Sequence, residues 1–298
     1  MTAAAHVSAG TALRAYDIDV EDVTYLTHGD KAYLARLYRP KGAGPFPVMI
    51  DLHGGAWCNQ DRTNDKVICE ALARTGVLVV ALDFRMPPDA AYPGSIADIN
   101  YAVRWVRANA ATLKAKPDKI GYIGISSGGH QGMLAAMRPR DARYGAVSST
   151  SVPAGDARVQ CVVLLWPVID PIGRYRYGKE LIAKGGDYPA NINNVIPSHD
   201  KYWVTEAAME EGSPPEILAR GEAVEMPPVL YVQGDADKMH PRPHLERFAE
   251  LYRSRGGSME VALFPGEVEG FVTREAKSEA NKRAATERIL AFVHLTLS

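Results

Sequence analysis

Lys119-Ile120-Gly121-Tyr122-Ile123-Gly124-Ile125-Ser126-Ser127-Gly128-Gly129-His130-Gln131-Gly132-Met133-Leu134-Ala135-Ala136 is the stretch from which the architecture of this chain can be built outward. Its first part is an apolar run that reads as a buried strand, and its second part, rich in small residues, reads as a helix. Ser126 stands at the apex between them. Glycines two before and two after it, Gly124 and Gly128, let strand and helix approach closely while the serine takes a strained backbone conformation. A serine held there projects its oxygen from the strand end, beside a helix N-terminus that favours developing negative charge. Gly-x-Ser-x-Gly alone is a weak pattern; a strand before it and a helix after it make it specific.

On both sides the chain alternates between strand-like and helix-like periodicity. Residues 17–27 and 31–38 read as an antiparallel lead-in pair joined through Gly29-Asp30. The apolar runs 48–52, 77–82, 159–166, 229–232 and 259–264 read as further strands, with helices expected over 96–113, 243–253 and 278–297. Strands that are continuous apolar runs between helices imply an α/β fold: a mostly parallel central sheet covered by helices on both faces. Residues 170–225 break this rhythm. They contain no strand of their own, are rich in Gly, Pro, Asn and Tyr, and read as a cap or lid over a pocket, with a shielding surface excursion as the plainer reading. The cap carries Tyr175, Tyr177, Tyr188, Tyr202 and Trp203 together with Arg174 and Arg176, which hint at a planar or anionic group in the ligand, although surface arginines are usually just solvated.

Bulk composition narrows the class. The 298 residues are 46% hydrophobic and 23% charged, with a formal net charge of -1, an ordinary globular balance that lacks the basic excess of a nucleic-acid or membrane-surface binder. No apolar run reaches the length of a membrane span. The segment from Met1 to Val7 has no basic stretch followed by an apolar core, so no secretory signal is expected. Cys58, Cys69 and Cys161 fit no metal-binding spacing and leave an odd thiol in any disulfide scheme, which favours a reducing, cytoplasmic setting.

A second loop carries chemistry. His53-Gly54-Gly55-Ala56-Trp57 directly follows the strand at 48–52. Consecutive glycines after a strand let backbone N–H groups turn toward one point, so Gly54 and Gly55, with the N–H of Ser127, are candidate donors of an oxyanion hole. A tight structural turn is the alternative, weakened by the pairing with Ser126. His53, Trp57, Tyr202 and Trp203 are candidate substrate-contacting residues, His53 more as a brace of its loop than as an acid or base.

The His-Gly-Gly loop, the Gly-Ile-Ser-Ser-Gly turn and the order of elements resemble the α/β-hydrolase superfamily. Within it they resemble the carboxylesterase and lipase branch that includes hormone-sensitive-lipase-like and kynurenine-formamidase-like enzymes, over roughly residues 20–297. The resemblance implies a single domain spanning 1–298, a Ser-Asp-His chain order, hydrolysis of a small ester or acyl substrate, and no cofactor. It also admits a homodimer, dimers being common in that family. The family pattern sets its aspartate three residues after the glycine, so in the strand and loop Val229-Leu230-Tyr231-Val232-Gln233-Gly234-Asp235-Ala236-Asp237 the resemblance implies Asp237 as the acid, with Asp235 more suited to bonding its own turn.

The third member departs from the pattern. Where the family carries Pro-Gly, about two residues and then His-Gly-Phe, this chain reads Pro265-Gly266-Glu267-Val268-Glu269-Gly270-Phe271, and Glu269 takes the histidine position. An unperturbed glutamate is about two pKa units too weak a base for the role, although a carboxylate facing Asp237 in a dry site would have its pKa raised. The expectation is therefore an atypical Ser126, Asp237 and Glu269 constellation. Of the other histidines, His240 and His244 follow Asp237 closely; His240 is the alternative base, able to lie near the site mouth, although histidines there more often cap or pack, and His130 reads as packing behind Ser126. His6, His28 and His199 carry no pattern. Three alternatives stand beside an esterase: a lyase, isomerase or cyclase that uses Glu269 to move a proton, a silent ligand binder like the plant gibberellin receptors, and an esterase silenced by the glutamate.

Overall fold

A computed structural model describes residues 15–298; the segment from Met1 to Val7 and His6 lie outside the described residues. In chain order the elements are β1 (Ile18–His28), β2 (Lys31–Pro40), β3 (Phe46–Leu52), α1 (Lys66–Arg74), β4 (Leu78–Leu82), α2 (Gly94–Ala108), α3 (Ala110–Leu113), β5 (Ala115–Ile125), α4 (Ser127–Met137) and β6 (Cys161–Leu165). Then follow α5 (Pro171–Lys184), α6 (Ile192–Trp203), α7 (Glu206–Glu211), α8 (Pro214–Ala219), β7 (Val229–Gly234), α9 (Arg242–Ser254), β8 (Met259–Phe264) and α10 (Glu279–Leu297).

The strands form one eight-stranded sheet in the order β1-β2-β4-β3-β5-β6-β7-β8. β1 pairs antiparallel with β2, β2 pairs antiparallel with β4, and every later pairing is parallel. The mostly parallel sheet expected from the apolar runs is the one that forms, because β4 and β6 are buried at every residue and so need cover on both faces. Two apolar layers supply it. Ile50, Val80, Tyr122 and Leu164 face α2, α4 and α9. Met49, Val79, Ile123 and Val163 face the layer of α1 and α10, where Leu72, Ile289 and Val293 are buried.

A third apolar cluster lies outside the sheet. Between β6 and β7 the chain makes four helices, α5 to α8, and Ile172, Ile192, Ile196, Tyr202, Trp203 and Met209 from them pack with Trp57 and Met239. The segment read from sequence as Gly- and Pro-rich and strandless is thus helical, with Thr205 capping α7 through a hydrogen bond from the Ala208 N–H. It is locked onto the body of the protein through the aromatic rings beside the β3–α1 loop.

Candidate active site

β5 ends in the turn that carries Ser126. The serine has φ 52° and ψ -116°, a strained conformation for a residue with a side chain, and its backbone is held on both sides. Its N–H donates to Leu165 O at the end of β6 (3.0 Å), while its C=O accepts from His130 N (3.2 Å) and Val168 N (3.0 Å). Close packing makes Gly128 obligatory, because a Cβ there would lie 2.0 Å from Leu52 O and 2.3 Å from His53 O. The α4 N-terminus is therefore pressed against the end of β3 and the loop that leaves it.

That loop is equally constrained. Gly55 has φ 90°, and a Cβ on it would lie 2.1 Å from Asn59 O; Cys58 N and Asn59 N both donate back to Gly55 O at 3.1 Å. Trp57 N donates to Ser127 Oγ (3.1 Å), which ties the loop to the first turn of α4. Gly54, Gly55 and Ser126 border one cavity of about 330 Å³. Ser127, the first residue of α4, has an N–H with no intrahelical carbonyl to meet. The loop glycines and this N–H thus stand at the same corner as the serine.

The side chain facing Ser126 is a histidine. Ser126 Oγ lies 3.2 Å from His240 Nε2, and His240 Nδ1 lies 2.9 Å from Asp237 Oδ2. The proton positions follow from the partners. Ionised Asp237 only accepts, so Nδ1 carries the hydrogen and Nε2 is left as acceptor for the serine O–H. Burial pushes the Asp237 carboxyl up, but the His240 charge and hydrogen bond and the N–H groups of Met239 and His240 more than offset it and hold the pKa below its ordinary value. Gln233 at the end of β7 donates to His240 O (2.7 Å) and fixes the loop from behind.

This corrects the expectation for Glu269. The place between serine and acid is taken by His240, and Glu269 stands to one side, its Oε2 3.9 Å from His240 Nδ1 and its side chain 28% exposed at the cavity. The physical reason is local. Asp237 Oδ1 accepts from the N–H of Met239 (2.8 Å) and of His240 (3.1 Å), which curls the chain back and lays the imidazole onto its own acid. The signal present in the sequence was a histidine three residues after the aspartate, in a chain with none in the expected place after β8. Glu267 organises the segment that bears Glu269: buried, it accepts from the N–H of Lys277 and Ser278 and from Asn281 Nδ2.

The four residues expected to contact substrate are interior ones. His53 is buried, donates from Nδ1 to Gly54 O (3.0 Å), and stacks on Phe84 with ring centroids 4.3 Å apart. Trp57, Tyr202 and Trp203 are also buried; Trp57 stacks on Tyr202 at 5.5 Å and meets Trp203 edge-on at 5.7 Å. None of the four borders the cavity at Ser126. Large rings gain more by packing the helical insertion onto the body than by standing in solvent at a cavity wall. His130 joins them. Trp57 Nε1 donates to His130 Nδ1 (3.3 Å), so the other ring nitrogen donates to Gly212 O (2.9 Å), and burial takes its pKa down to about 4. Among the described residues no group of three or more His, Cys, Asp or Glu is placed to hold a metal ion, and no helix is long and apolar enough to cross a membrane.

The family model described as BD-FAE matches residues 36–251. Esterase LipC of Mycobacterium tuberculosis is 28% identical over 252 residues, which cover 81% of this chain and 58% of that protein. Esterase LipQ of the same bacterium is 24% identical over 249 residues, 82% of this chain and 55% of that protein. The chain therefore spans less than two thirds of the length of these curated relatives. Among solved structures, the hyperthermophilic esterase from the archaeon Pyrobaculum calidifontis superposes with a TM-score of 0.74 at 24% identity, over 95% of this chain and 88% of that one, a likeness of fold.

Proposed function

The chain belongs to the BD-FAE family, within the carboxylesterase and lipase branch of the α/β-hydrolases, and from that footing we propose that it hydrolyses small carboxylic esters through Ser126, His240 and Asp237. The observation that carries this reading is the continuous hydrogen-bonded line from Ser126 Oγ through His240 to Asp237, at 3.2 Å and 2.9 Å.

The steps follow from the proton positions. His240 Nε2 takes the Ser126 proton as Oγ bonds to the ester carbonyl carbon, and the carbonyl π electrons move onto oxygen. Backbone N–H groups of the Gly54-Gly55 loop and of Ser127 receive that negative charge at the α4 N-terminus. Asp237 balances the imidazolium at close range, and the Glu269 carboxylate, 3.9 Å from Nδ1, adds to it. The imidazolium then gives its proton to the departing alcohol oxygen as the C–O bond breaks, leaving an acyl-serine. Water repeats the sequence, with His240 as base, and frees the acid. Glu269 is here an electrostatic neighbour of the base, so proton transfer by a glutamate in place of histidine is not needed.

Three variants assayed on p-nitrophenyl butyrate test this. Ser126→Ala abolishes turnover, His240→Ala lowers kcat by roughly 10⁴-fold, and Glu269→Gln lowers it by no more than about tenfold. A Glu269→Gln loss as large as that of His240→Ala would return the role of base to the glutamate. Turnover that survives Ser126→Ala would end the hydrolase reading altogether.

A further inference from the structure

Arg174, on the first turns of α5, is a charge inside the protein. It is 2% exposed, yet it borders the same cavity as Ser126 and Glu269. Its guanidinium lies 5.7 Å over the Trp57 ring, and its Nε and Nη2 atoms are buried without a hydrogen-bond partner among the described residues. Burial lowers its pKa to about 10, outweighing the favourable charges of Glu269 and Asp237, and neither carboxylate makes an ion pair with it among the described residues. A buried guanidinium whose N–H groups lack acceptors is costly, and such a group beside a cavity is satisfied when an acceptor enters. Its neighbour in sequence shows the contrast: Arg176 is exposed and already meets Glu206.

The rest of the cavity suits a polar guest. Asn64, Asn191 and Asn194 border it with Gln60, and Arg274 stands exposed at its rim. A planar fork of N–H donors matches a carboxylate, which can accept two parallel hydrogen bonds from it. We propose that Arg174 selects esters whose acyl part ends in a carboxylate, so that the preferred substrates are monoesters of short dicarboxylic acids. The guanidinium grips the free carboxylate while Ser126 attacks the esterified one. This rests on the ester-hydrolase reading above, deepens it to a substrate class, and makes Arg174 a specificity-determining residue. With monoethyl glutarate the balance is one water consumed, the acyl C–O bond broken, and glutarate, ethanol and one proton released.

The test compares monoethyl glutarate with the neutral ethyl pentanoate by titrating released acid at constant pH. The wild type is expected to favour the charged ester by at least tenfold in kcat/KM. Arg174→Gln is expected to cut that preference at least tenfold, and Arg174→Lys, which keeps the charge but not the fork, at least threefold. Arg174→Lys, the milder change in a buried site, decides the matter if the glutamine variant does not fold by circular dichroism. A wild type that prefers the neutral ester, or a preference unmoved by either substitution, overturns the proposal and leaves the hydrolase reading standing. If neither ester is hydrolysed, the hydrolase reading falls, and calorimetric titration of glutarate into wild-type and Arg174→Lys protein decides for the site itself. Affinity at least threefold weaker in the variant supports a carboxylate site; equal affinity or none overturns it.

Discussion

The proposed role of His240 as base requires one tautomer only. The hydrogen on Nδ1 points at Asp237, which leaves Nε2 free to accept from Ser126. Asparagine at position 237 would keep the carbonyl oxygen that accepts from Met239 N and His240 N, so the loop would hold its shape. Its amide would donate to Nδ1, however, and the ring hydrogen would move to Nε2 and face the serine. Asp237→Asn is therefore expected to lower kcat on p-nitrophenyl butyrate by about 10⁴-fold with little change in melting temperature, measured side by side. At this scale the placing of Ser126 and Asp237 was legible, because each sits at a strand end inside a short motif. His240 was signalled only by its spacing from Asp237, because its place depends on two backbone N–H groups turning back onto a carboxylate. Arg174 was legible as a cation in the insertion, but its burial depends on which turn of α5 faces inward.

The junction of β3, β5 and α4 is built on contact between backbones. Gly128 permits it, with Leu52 O and His53 O in the space a side chain would fill. Gly128→Ala must push α4 away from the β3–α1 loop, moving Ser127 relative to Gly54 and Gly55. The expected cost is about 2–3 kcal/mol of stability, read from urea unfolding, with kcat falling more than KM changes, since the displaced groups meet charge only in the transition state. Elements such as β4 and β6 were readable as apolar runs because a buried parallel strand allows little else. α1 was not anticipated: its buried face is only Ile68, Cys69, Leu72 and Ala73, too short a repeat to stand out between polar loops. The same limit applied to α5 to α8, where helices of 14, 12, 6 and 6 residues sit among glycines and prolines that read as irregular chain.

At the scale of the whole molecule, polar groups outside the Ser126–His240–Asp237 line are buried as well. Asp51 in β3 and Asp65 just before α1 are both about 1% exposed, with Cys69 close by. Burial, outweighing the Asn64 hydrogen bond and the Arg274 charge, raises the Asp65 pKa to about 7, and burial with the Asp65 charge raises Asp51 well above its ordinary value. The sign follows from proton counting. Between about pH 4 and pH 7 the folded chain keeps a proton on Asp65 that the unfolded chain has released. Stability therefore falls as pH rises through that window, by roughly 1 kcal/mol per pH unit for this group, and the penalty is absent below pH 4. Asp65→Asn, which still accepts from Asn64, is expected to raise the melting temperature more at pH 8 than at pH 4. Equal shifts at the two pH values would mean the carboxyl is not held neutral.

The spacing of the acid and the base bears on how this active site can change. Asp237 and His240 close a ring of three residues within one loop, whereas a base at position 269 would have to be brought back across 32 residues of chain. The short ring is closed by hydrogen bonds within its own loop, whereas a base at position 269 would depend on how α9 and β8 pack between them. The relay is assembled by its own loop, and the packing of the segment after β8 contributes only a neighbour to it. In the proposed mechanism Glu269 and the residues around it are thereby released from supplying the base, and substitutions there are expected to reshape the cavity while Asp237 and His240 stay where β7 puts them.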